Sequence, residues 1–98
     1  MIVKLVEIYE LNRQPAPDEI SYSLREVFVN PEHVTCLRED LITSKKLKSG
    51  LLPEDMDNRQ RFTKIHLNRG LSGIDLTVVG DPSTIQEKLL GPKQLLKG

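Results

Sequence analysis

Apolar and polar side chains alternate with a spacing of two along most of this chain. In the opening run Val3, Leu5, Tyr9 and Leu11 share one strand face, broken only by Glu7, while Ile2, Val6 and Ile8 share the other. The β-branched content predicts a strand from Ile2 to Leu11, buried partly on both faces. The next stretch, "NRQPAPDE", has two prolines in three residues. These remove backbone donors and predict a turn or extended loop. Alternation resumes in "SYSLREVFVN". Tyr22 and Leu24 have one parity, Val27 and Val29 the other. That switch predicts either a β-bulge near Arg25-Glu26 or apolar contact on both faces.

"NPEH" reads as one short helical turn. Asn30 caps it, Pro31 suits its first position, and Glu32 complements the exposed N–H groups. It launches a third strand, "VTCLRE", with Val34 and Cys36 expected on one face and Thr35 and Leu37 on the other. From Asp40 to Arg61 the period is lost, and the segment reads as a long loop whose ends extend strands. Alternation returns in "FTKIHLNRG" and "LSGIDLTVVG". Gly70 and Gly73 between them predict a hairpin. In "GDPSTIQEKLLGP", Asp81 is a cap and Pro82 the first helical residue. Ile85 and Leu89 lie on one helix face, and Gly91-Pro92 stops the helix. So short a helix must pack against the sheet.

These elements predict a mainly β (α+β) fold. It has about five antiparallel strands in a twisted sheet or SH3-like small barrel, with one C-terminal helix. The predicted organisation is a single small β domain over residues 1–91, with a long loop at about 40–61, and a C-terminal tail over 92–98. At 98 residues the chain has room for one core. With four aromatic residues and no tryptophan, that core is aliphatic. Fourteen basic and fourteen acidic residues cancel. No global field therefore draws the chain to nucleic acid or anionic membrane. The single cysteine, Cys36, excludes an internal disulfide and a Cys-only metal site. Lys4 and Glu7 interrupt the opening apolar run, which is also too short for a membrane span or signal peptide. The expected setting is the cytoplasm, with no membrane contact.

The stretch "VFVNPEHVTCLRE", joined to "TKIHLNRGLSGIDLTVVGDPSTIQEKL", resembles the small flagellar FlbD (SwrD) family. In that family an Asn-Pro turn comes after a strand, and a hairpin leads through an acidic cap into a helix with an Ile near its start. "MIVKLVEIYELN" also resembles the family's leading strand. The chain departs from the pattern by inserting "RQPAPDEISYS" and the segment from Asp40 to Arg61. The resemblance implies a small β module that acts by binding. It transfers no catalytic residue.

The chemical inventory points the same way. His33 lies close in sequence to Cys36, yet Cys36 shares parity with Val34 and reads as core. His66 alternates with Ile65 and Leu67 and is expected to face solvent or a partner. His33, His66 and Cys36 have no metal-ligand spacing. Acidic clusters in "REDL" and "PEDMD" read as solvated loop. No catalytic residue, metal site or cofactor is therefore expected.

Two binding surfaces stand out. Leu47, Leu51, Leu52 and Met56 are unusual in a solvated loop and are candidates for contact with a protein partner. Lys45, Lys46, Lys48, Arg59 and Arg61 are the alternative, a strip that could track a phosphate backbone. No aromatics interleave that strip to stack bases. A third feature is physical. Ile2–Leu11 has no proline to blunt it as a sheet edge, so either the sheet closes or a second copy pairs there. The expected function is a non-enzymatic interaction module. It binds a protein partner or itself, as a homo-oligomer, through a sheet edge and the 40–61 loop.

Overall fold

Period-two patterning in five stretches gives five strands in the computed structural model, which describes residues 2–11, 21–48, 56, 57, 59–70 and 72–97. The elements are β1 (Val3–Leu11), β2 (Ser21–Val29), a 3-10 turn (Pro31–His33), β3 (Val34–Glu39), α1 (Leu41–Lys48), β4 (Phe62–Arg69), β5 (Ser72–Val79) and α2 (Pro82–Lys97). All strand pairs are antiparallel, in the order β2-β1-β5-β4-β3. Among the described residues no ladder joins β2 to β3, so the sheet is open, with those two strands as its edges. Ile2–Leu11 is therefore not an edge. β1 pairs with β2 over its whole length and with β5 at two positions, Glu7↔Val78 and Ile8↔Thr77.

Each sheet face is covered by a different helix. Leu5, Val29, Ile65, Leu67 and Val78 meet Ile85 and Leu89 of α2 in one apolar cluster. Ile8 and Phe62 meet Leu47 of α1 in a second cluster on the opposite face. Two coverings explain why β1 and β2 carry apolar residues of both parities. The ladder between them runs without a shift from Val3↔Val29 to Leu11↔Ser21, so no bulge lies at Arg25-Glu26. The sheet's irregularity falls in β3, between Val34 and Cys36. An extra residue there reverses the parity of the rest of the strand. Val34 stays with the α2 cluster, and Cys36 turns outward and is exposed.

The predicted turn and helix starts are present. Asn30 Oδ1 accepts from the Glu32 amide at 3.0 Å. Asp81 accepts from the Thr84 amide and hydroxyl. Gly80, with φ 128°, joins β5 to α2, and a Cβ on it would lie 3.0 Å from Ile85 Cδ1. Helical geometry breaks at Gly91 (φ 77°), the predicted stop, but helix resumes beyond it to Lys97, where the sequence predicts a tail. The unpredicted element is α1. Asp40 caps it, taking the Thr43 amide at 3.0 Å and the Thr43 hydroxyl at 2.8 Å.

Candidate protein-binding surface

β2 is the longer edge, nine residues against six in β3. It contains no proline, and its ladder with β1 is unbroken. Long, regular edges of this kind leave a row of backbone donors and acceptors ready to template another strand. Its α1-face side chains include Leu24 (39% exposed) and Phe28 (63%), with Val6 between them on β1 and Ile2 beyond. Lys4 and Glu26 punctuate this apolar strip with an ion pair at 3.2 Å.

Beside β2, on the α2 face, lies a groove of about 520 Å³. Val27, Phe28 and Val29 of β2 line it, with Ile2 at its rim, and so do Leu67, Ile74 and Leu76 of β4 and β5. Asn30 and His33 stand at one side, held by the 3-10 turn. Glu7 and Arg25 stand at another. Arg25 Nε donates to Glu7 Oε1 at 2.9 Å, and the guanidinium lies 4.1 Å from the Tyr9 ring centroid. The Glu7 bond, then its charge, raises the Arg25 pKa above its ordinary value. The groove is thus apolar with a fixed ion pair, the usual composition of a recognition cleft.

The sequence-derived candidates fall elsewhere. Leu47 is only 5% exposed and belongs to the core with Ile8 and Phe62, so α1 turns it inward rather than offering it to a partner. Met56 is half-buried against the same cluster. Leu51 and Leu52 lie outside the described residues. Lys46 donates to the Tyr22 hydroxyl at 2.7 Å and sits 4.9 Å from that ring centroid. Arg59 is paired with Asp57 at 3.2 Å. Arg61 grips both oxygens of Glu39, at 2.7 and 2.9 Å. These bonds, ahead of the charges, hold the Asp57 and Glu39 carboxyls below their ordinary values. Lys45 and Lys48 are exposed on α1. Lys46, Arg59 and Arg61 are thus each bonded to a local partner.

The lone thiol and the two imidazoles are divided between faces. His33 lines the groove. Cys36 stands opposite His66, and His66 opposite Asp75, across three strands. His66 Nδ1 lies 2.6 Å from Asp75 Oδ1, and its ring leans over Gly73, where a Cβ would sit 3.0 Å from it. That bond is the first cause of Asp75's lowered pKa. The sulfur is approached by Arg38 Nη2 at 3.9 Å. Among the described residues no three His, Cys, Asp or Glu side chains converge to hold a metal, and no helix is long and apolar enough to cross a membrane.

Leu24, Arg25 and Phe28 are absent from the sequence-derived candidates. Their signal is the parity switch in "SYSLREVFVN", where one apolar set must lie on the less covered face. Comparisons with protein-family models, curated proteins and solved structures give no match.

Proposed function

We propose that this chain is a non-enzymatic interaction module that binds an extended protein segment along β2. The segment adds a strand to the sheet, and the neighbouring groove receives alternate side chains from it. The single observation that carries this reading is β2 itself: a nine-residue, proline-free, unbroken edge bearing exposed Leu24 and Phe28. Backbone pairing supplies affinity in such strand addition, and pockets for alternate side chains supply selectivity. The resemblance to the FlbD family, which implies a binding module, agrees with this reading. The surface differs from that expected from sequence in two respects. The edge is β2 rather than the Ile2–Leu11 strand, and with Leu47 in the core the groove takes the place of the 40–61 loop.

The test is retention by the immobilised native protein, compared with a Leu24→Lys variant of unchanged circular dichroism. A charge on an edge strand blocks added strands. Proteins bound by the native chain, its own copies included, should be lost from the variant. Identical retention by both would overturn the reading.

A further inference from the structure

We infer that the segment added to β2 is β2 of a second copy, antiparallel to the first and centred on Leu24. This rests on the strand-addition reading and names its occupant. A two-fold axis perpendicular to the sheet makes the contact self-complementary. Directly opposed residues in an antiparallel ladder share a face, so the axis must pass through a residue position rather than between two.

The chemistry of β2 separates the central registers. Centring on Arg25 sets two guanidiniums opposite each other, and centring on Glu26 sets two carboxylates opposite; like charges so placed are destabilising. Centring on Val27 puts Glu26 opposite Phe28, Arg25 opposite Val29, and Leu24 opposite Asn30. Each of those pairs sets an apolar side chain against a charged or polar one.

Centring on Leu24 opposes Leu24 with Leu24, Ser23 with Arg25, and Tyr22 with Glu26. No like charges meet. Leu24 already stands opposite Ile8 within one copy. The pairing therefore builds a continuous apolar row of Ile8, Leu24, Leu24 and Ile8 across both sheets. Charges are complementary too. Lys46 is bonded to the Tyr22 hydroxyl, so Glu26 of the second copy arrives beside a fixed cation. Symmetry repeats this contact, and Glu26 keeps Lys4 on its other side.

The experiment is sedimentation of the full chain over a concentration series up to ~0.5 mM. A reversible dimer is expected. Leu24→Lys should weaken it about tenfold or more. Glu26→Lys should weaken it similarly, and adding Lys46→Glu should restore association by exchanging the two charges. For register, Leu24→Cys in a Cys36→Ser background should cross-link to itself on mild oxidation, whereas Glu26→Cys in that background should not. A strict monomer over the whole range overturns the inference, as does trapping through Glu26→Cys alone. A monomer that still retains another protein through β2 removes the second copy as occupant but leaves the strand-addition reading standing. A monomer with no β2-dependent retention removes both.

Discussion

Glu7 and Arg25 stand directly opposite each other on β1 and β2, and the pair joins a buried carboxylate (residue 7% exposed) to a largely solvated guanidinium at 2.9 Å. Removing one partner of such a pair costs more than replacing both, because an uncompensated charge is then left buried. Arg25→Ala should therefore lower the urea midpoint. Adding Glu7→Leu to that variant should recover most of the loss, since residue 7 faces Val78 across the β1–β5 rung. A double variant no more stable than Arg25→Ala would contradict this account.

Asp40 governs α1. Burial pushes its carboxyl up, but the Thr43 amide and hydroxyl, the Lys64 charge and the Thr77 hydroxyl together outweigh this and hold it below its ordinary value. Asp40→Ala should cost about 1–2 kcal/mol, the usual loss for a helix cap. A depressed carboxyl contributes stability that is full above its unfolded pKa and is lost as pH falls through the lower folded value. Glu39, Asp57, Asp75 and Asp81 are depressed as well. Stability should thus decline on acidification below about pH 4, and Asp40→Asn should make that decline shallower in urea titrations at successive pH values.

Leu47 distinguishes core from contact residue. Leu47→Ala should cost about 2–4 kcal/mol through lost burial and the cavity left beside Phe62 and Ile8. The same substitution should leave β2-dependent binding unchanged once measured well below the unfolding midpoint.

Gly73 makes room for the His66 ring. Gly73→Ala sets a methyl 3.0 Å from ring atoms and should displace the imidazole from Asp75. The Asp75 carboxyl should then return towards its ordinary value, as read by carbon NMR of that carboxyl. An unchanged titration would show that the ring tolerates the methyl in place.

Arg59 and Arg61 are already neutralised by Asp57 and Glu39. The chain should therefore not retard single- or double-stranded nucleic-acid probes even at low salt, where phosphate contacts are strongest. Retardation lost in Lys45→Ala/Lys48→Ala would reverse this expectation.

Local chemistry is readable in the sequence, and pairing between distant strands is not. Asn30-Pro31 and Asp81-Pro82 declare their caps within four residues, and both form where expected. The five strands follow from period-two alternation. α1 escapes the pattern because "LITSKKLK" has a weak apolar stripe, and its cap, Asp40, reads equally well as part of an acidic cluster. The Asp40–Thr43 spacing is the available signal. Cys36 reads as inward because a single bulge in β3 inverts parity without leaving a mark in composition. β1 reads as an edge because nothing in its own residues reveals that β5 lies beside it. Strand order depends on contacts across about seventy residues, and alternation within a strand does not encode it.

The two rungs at Glu7↔Val78 and Ile8↔Thr77 are the narrowest ladder in the sheet. On one side β1 and β2 share nine paired positions; on the other β4 and β5 share eight. The two halves thus share few backbone bonds and are held together chiefly by side chains, Leu5 and Val29 against Ile65, Leu67 and Val78. The amides of those two rungs should therefore exchange their hydrogens ahead of the ladders on either side, while the oily filling keeps the halves from separating.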